Sequence, residues 1–270
     1  MTALAVAALT VAVVGSLFLG RVNIPPQAIL DGVFAPDVSL AHLVVTELRL
    51  PRAVLAILVG ASLGLSGAVL QGLLRNPLAE PGLLGVSSGA ALGAVVSIYF
   101  SLAVVFPMAT PILGLAGALG AGALTFALGR GGTLSLILAG AAVSGLMAAF
   151  LAMALNFAPN PYAAYEMSIW MLGSLSQRSW DHILLAGPFI LAGLAILATM
   201  GRAIDALALG EAQAQSLGVD LDRTRLLALV GTGLAVGAAT SVTGSIGFIG
   251  LIVPHLVRPF VGYQPSRTLL

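Results

Sequence analysis

Two serine patterns are the first candidates for chemistry. Gly64-Leu65-Ser66-Gly67 has the G-x-S-G form in which an intramembrane protease carries its nucleophile, and Gly85-Val86-Ser87-Ser88-Gly89 has the G-x-S-x-G form of a nucleophile elbow. An elbow needs a preceding strand, and a protease dyad needs a histidine as base. Only His255, beside Pro254, lies near an apolar segment, and in a chain with 33 Gly both patterns arise readily by chance. An intramembrane serine protease is therefore kept only as the lesser alternative. A phosphate-binding G-x-x-x-x-G-K-[ST] loop needs its lysine to reach the phosphates, and all eleven cations here are Arg. ATP hydrolysis by that route is excluded, so the chain reads as a non-enzyme. Ion-coupled carriers hold acids or His within their spans, whereas nearly every Asp and Glu here falls in a loop. The absence of Cys excludes disulfides and Cys-ligated metal sites, and no metal or cofactor is assigned to this chain. Arg49 and Arg52 flank Pro51, and their guanidinium groups suit bidentate pairing with carboxylates. Anchoring of the helix at lipid headgroups fits them as well.

The elements that must position these residues are membrane helices. The chain is 59% apolar and 8% charged, against roughly 25% charged in a soluble domain. A span needs about 20 mostly apolar residues to cross ~30 Å of hydrocarbon. Punctuation by charge and proline gives spans at about 2–20, 53–74, 83–106, 108–128, 133–157, 182–200 and 226–242, with a shorter piece at 246–257. The fold class is an all-α, polytopic transmembrane bundle of about eight spans. The first is read as a retained span, since neither a basic region nor an A-x-A-like site flanks it. The segment 21–52 carries Asp31, Asp37 and Glu47, and 158–181 carries Tyr162, Tyr165, Trp170 and Trp180, which favour the headgroup layer. With the N-terminus inside, Arg75, Arg130, Arg202, Arg223, Arg225, Arg258 and Arg267 lie on the cytoplasmic side, and Arg21, Arg49, Arg52 and Arg178 outside. The excess inside follows the positive-inside tendency.

The last piece, about 12 residues, reaches only ~18 Å. It is expected to be a half-helix or to start within the protein. Gly244, Gly247 and Gly250 beside it suggest a re-entrant element. Gly60-x-x-x-Gly64, Gly85-x-x-x-Gly89-x-x-x-Gly93 and Gly233-x-x-x-Gly237 predict close helix approach.

Seven blocks in order resemble the FecCD family, the permeases of ATP-binding cassette (ABC) importers for iron-siderophore complexes, haem and cobalamin. They are Leu48-Arg49-Leu50-Pro51-Arg52, Gly60-Ala61, Gln71 with 75–86 (Arg75-Asn76-Pro77-Leu78-Ala79-Glu80-Pro81 onward), Leu138-Ala139-Gly140, Trp170 to Leu175, Leu209-Gly210-Glu211 through Leu217-Gly218-Val219, and Gly247 to His255. The resemblance covers almost the whole chain and implies a single permease domain over 1–270 in the bacterial cytoplasmic (inner) membrane. It further implies a second permease copy or paralogue, cytoplasmic ATP-binding subunits that carry the ATP, and an extracytoplasmic substrate-binding protein. No nucleic acid is implied.

By the same resemblance, Arg49 and Arg52 dock the binding protein, and 202–225 is a cytoplasmic coupling loop. Within it Gly210, Glu211, Ala214, Leu217 and Gly218 match a short helix seated on the ATPase. Glu211, Ala214 and Leu217, at i, i+3 and i+6, are expected to share roughly one helix face. Gln213 and Gln215 depart from the residues many relatives carry there. Thr133 and Ser135 fall where the family has its inner gate, although capping of a helix explains Thr133 equally well. The 158–162 and 170–180 segments look more like iron-chelate members than cobalamin ones, and cobalamin import is the alternative. Relatives typically have ten spans, so the bundle is expected to be incomplete at Leu270.

Overall fold

The computed structural model describes residues 2–20, 24–27, 29 and 40–269. Arg21, Asp31, Asp37 and Leu270 lie outside the described residues. Among the described residues there are helices and no strands. The principal helices are α1 (Thr2–Phe18), α2 (Leu40–Leu73), α3 (Val86–Tyr99), α4 (Ala109–Leu128), α5 (Thr133–Asn156), α6 (Pro161–Leu172), α7 (Trp180–Ala198), α8 (Gly201–Leu207), α9 (Glu211–Ser216), α10 (Leu221–Thr243) and α11 (Ile249–Val257). Five of them, α2, α4, α5, α7 and α10, are long and apolar enough to cross a membrane, and three apolar stretches, Ala5–Phe18, Val86–Tyr99 and Ile249–Val261, are shorter. The expected eight spans thus resolve into five of full length and three short ones. The chain divides into two compact units, Met1–Leu58 with Leu175–Leu184, and Val59–Ser174 with Leu185–Leu270.

In the first unit α2 starts at Leu40, well before the Ala53 at which an apolar span was expected, so Arg49 and Arg52 lie within a helix rather than a loop. The cause is a π-helical turn over Val44–Arg49. There the Leu50 N–H bonds the Val45 carbonyl, one residue further back than an α-helix allows. The Thr46 carbonyl is left over, because its partner in the π register would be Pro51, which has no N–H. Trp180 Nε1 donates to that carbonyl at 2.9 Å. Trp180, expected only as a headgroup aromatic, therefore completes the backbone of α2.

In the second unit α3 and α4 pack backbone to backbone. A Cβ on Gly89 would stand 2.4 Å from the Gly117 carbonyl oxygen, and one on Gly93 only 1.9 Å from that of Leu113. Bare glycine faces allow such an approach. The expected span over 83–106 is instead a 3-10 turn (Pro81–Leu84), the 14-residue α3 and a short turn Leu102–Val105. Gly85 at φ +76 breaks the first junction and Ser101 at φ +55 the second. The Gly60-x-x-x-Gly64 stripe differs from expectation: nothing lies within 4 Å of a Cβ on Gly60, and Gly64 meets only the Val253 side chain.

Helix α10 is the most enclosed of the long helices, with 78% of its apolar window buried, while α5 and α7 are 28% buried. It starts at Leu221, earlier than the expected 226, because Asp220 accepts the Arg223 N–H at 3.0 Å as N-cap. Helix α6 forms inside the 158–181 segment, for which only a headgroup-layer position is expected from sequence. Asn160 accepts the Ala163 N–H at 2.9 Å with Pro161 in the first turn, a start signal legible in the sequence. The final apolar piece is the nine-residue α11, the expected half-helix, and it follows Phe248 at φ +66.

Candidate functional site

The expected coupling loop folds as two short helices, α8 and α9, joined at Gly210. Six residues are too few to hold a helix in water by themselves, so its ends and its inner face must be fixed by the rest of the unit. Gly210 lies at φ +114 and Gly218 at φ +85, conformations that favour glycine. After α9 the Val219 N–H reaches the Ala214 carbonyl at 3.0 Å and the Gly218 N–H that of Gln215 at 2.9 Å, a complete Schellman ending.

Inward, Ala214 is fully buried. Glu211 uses both carboxylate oxygens: Thr133 Oγ1 donates to Oε1, and Arg225 Nη2 stands 3.2 Å from Oε2. Arg225, buried at the start of α10, also reaches Asp222 Oδ1 at 3.2 Å. Outward lie Ala212, Gln213, Gln215, Ser216 and Leu217. Leu217 is 65% exposed and follows the helix as its cap residue, so it does not share the inner face of Glu211 and Ala214. Thr133 is not the cap of α5. That position is Gly132, and the Thr133 hydroxyl is committed to Glu211. Ser135 donates to the Leu128 carbonyl at 3.4 Å.

The hydrogen bond from Thr133 holds the Glu211 carboxyl below its ordinary range. Burial pushes the other way, and the Arg225 and Arg75 guanidiniums add to the lowering. A carboxyl lowered on folding stabilises the fold above its unfolded value, about 4.3, and that contribution is lost as pH falls through the lower folded value. Amide exchange should therefore show the Ala214 N–H, bonded to the Gly210 carbonyl, well protected at neutral pH and progressively deprotected as the pH falls below the ordinary carboxylate range. Glu211→Gln should flatten that pH dependence.

The two arginines of the proposed docking pair are placed differently. Arg49 is 7% exposed and its Nη1 donates to the Leu17 carbonyl, tying α2 to the end of α1. Arg52 is exposed. Both line one cavity of about 570 Å³ with Ser176 and Gln177.

The serine readings find no support in the geometry. Ser66 Oγ is buried without a hydrogen-bond partner, while His255 is exposed, so no Ser–His pair forms. Gly67 serves packing: a Cβ there would stand 1.9 Å from the Gly250 carbonyl oxygen. The elbow-like Gly85 follows a 3-10 turn rather than a strand.

The family model of the FecCD transport family matches residues 8–270. The chain belongs to that family. Among relatives of this FecCD chain, an uncharacterized ABC transporter permease of Bacillus subtilis is 35% identical over 97% of this chain and 78% of its own length. A hemin transport system permease of Yersinia pestis is 39% identical over 80% and 66%. A cobalamin import system permease of Halobacterium salinarum is 43% identical over 85% and 62%. The chain thus spans less than two thirds of the length of some relatives it matches. A solved structure described as an inward-facing metal-chelate type ABC transporter superposes with a TM-score of 0.85 at 32% identity, covering 97% of this chain and 81% of that one.

Sequence reasoning missed one constellation. Gln71, 2% exposed on α2, donates from Nε2 to the Gly250 and Leu251 carbonyls at 3.3 and 3.2 Å, and accepts from Arg258 Nη2 at 2.6 Å. The signal was present in Pro254. A proline removes the N–H that the Gly250 carbonyl needs four residues on, so some buried donor has to replace it.

Proposed function

We propose that the chain is the membrane-spanning permease subunit of an ABC importer that carries an iron chelate, siderophore or haem, across the cytoplasmic membrane. It works as a homodimer or with a paralogue. ATP is hydrolysed on separate cytoplasmic subunits, and an extracytoplasmic binding protein delivers the cargo. The observation that carries this reading is α9, a short helix fixed from within by Ala214 and Glu211 while its polar outer face and Leu217 remain open to a partner. Cobalamin import is the second reading, favoured by the 43% identity to a cobalamin permease.

Co-expression with the ATP-binding subunits and the binding protein of the same system, followed by reconstitution into vesicles, tests the assignment. Binding-protein-stimulated ATP hydrolysis together with uptake of ferric siderophore or haem supports it, uptake of cobalamin alone transfers it to the second reading, and no association with any ATPase sinks both. Within that assay the exposed Arg52 is the docking cation. Arg52→Glu should weaken binding-protein stimulation by about tenfold or more, since replacing an attractive pair by a like-charge contact costs at least about 1.4 kcal/mol. Arg49→Ala should instead lower the thermal stability of the chain, because its contact is internal.

A further inference from the structure

Thr133 and Glu211 lie 78 positions apart in the chain, yet a single short hydrogen bond joins them. One end belongs to the first residue of α5 and the other to the first residue of α9. Opposite Thr133 the same carboxylate meets Arg225, the fifth residue of α10. A six-residue helix bounded by two glycines has little rigidity of its own, and a charge-assisted bond is the strong kind. We propose that Glu211 is a strut: a positioning residue that makes the beginning of α5 follow any displacement of α9. The link to ATP rests on the reading of α9 as the ATPase-facing helix; the strut itself does not.

The geometry favours transmission over simple anchoring. If Glu211 only fixed α9 in place, Arg225 would suffice, being buried and itself held by Asp222. The hydroxyl of Thr133 has no capping duty, because Gly132 occupies the cap position. Its one bond points across to Glu211. Ser135, two residues on, makes only a long 3.4 Å bond to the Leu128 carbonyl, so beside the buried Leu136 the polar tether at the start of α5 is Thr133.

Because the chain contains no cysteine, Ser135→Cys gives a single reporter at the start of α5. In the intact chain purified in detergent, Thr133→Val and Glu211→Leu, each of which removes one partner of the bond, should each raise the rate of maleimide labelling at that reporter by about tenfold, as expected for loss of one charge-assisted bond. The double variant should label no faster than either single one, because both remove the same link. Unchanged rates, or effects that multiply in the double variant, overturn the strut. Arg225→Gln, which leaves the Thr133 bond in place, should accelerate labelling less than Thr133→Val; an equal acceleration would assign the effect to general loosening and overturn it too. With the ATP-binding subunits added, ATP with vanadate should change the labelling rate on the Ser135→Cys background and not on the Thr133→Val background. If the detergent results hold but ATP has no effect on either background, the strut stands and the importer reading of α9 falls.

Discussion

Gly93→Ala should unfold the second unit at markedly lower temperature than the native chain, while Gly60→Ala should leave it almost unchanged. Both residues sit in glycine stripes that look alike in sequence, and both changes add one methyl group. At Gly93 the new Cβ would lie 1.9 Å from the Leu113 carbonyl oxygen and 2.6 Å from its carbon. Backbone atoms in a helix cannot rotate away as a side chain does, so α3 and α4 must separate along their length. Separation would also open the approaches at Gly89 and Gly117, whose added Cβ atoms would stand 2.4 and 2.2 Å from each other's carbonyl oxygens. Overpacking of this kind costs about 3 kcal/mol. In a bilayer it is not offset by hydrophobic collapse, since helix association there depends on close packing itself. At Gly60 nothing lies within 4 Å of the added methyl. Thermal unfolding of the two variants in the same detergent decides the matter. Equal stabilities would mean that α3 and α4 do not approach as closely as described.

The same contrast explains what the sequence disclosed and what it withheld. Membrane helices were legible because a stretch of apolar residues has few other ways to satisfy its backbone, and the limits of α4, α5 and α7 fell close to where charge and proline punctuate the chain. The breaks inside apolar stretches were not legible. Gly85 and Ser101 divide the region 83–106 through backbone angles, and hydropathy carries no trace of φ. The early start of α2 was hidden by Arg49 and Arg52, which read as loop residues until the Leu17 carbonyl gives Arg49 a partner. In the expected coupling segment the short helix came from the family resemblance at Gly210, Glu211, Ala214, Leu217 and Gly218. Its inward and outward faces were misjudged, because a spacing of three carries Leu217 beyond the helix end. The partners of Glu211 come from distant helices, Thr133 and Arg225, and pairing at that range has no local periodicity to betray it.

Gln71→Leu should destabilise the chain by about 2 kcal/mol, and the cause is a proline on another helix. In α11 the Gly250 carbonyl points to position 254, where Pro254 has no N–H to give. The Gln71 amide supplies that donor from α2 and shares it with the Leu251 carbonyl. Its orientation is fixed by chemistry: two carbonyls require the NH₂ end, and the Arg258 guanidinium requires the oxygen. Leucine fills a similar volume but leaves the buried Gly250 carbonyl without a donor, at a cost of about 1–3 kcal/mol, and takes the side-chain partner from the half-exposed Arg258 guanidinium. Pro254→Ala restores an N–H to the helix and so gives the Gly250 carbonyl a partner of its own. The loss caused by Gln71→Leu should accordingly shrink by about 1–2 kcal/mol on a Pro254→Ala background, a coupling that a double-mutant cycle by thermal or denaturant unfolding reads directly. Additive effects would show that Gln71 acts through Arg258 alone. The expected coupling would establish that the half-helix is built as a broken element, with its missing internal bond replaced by a side chain from the neighbouring span.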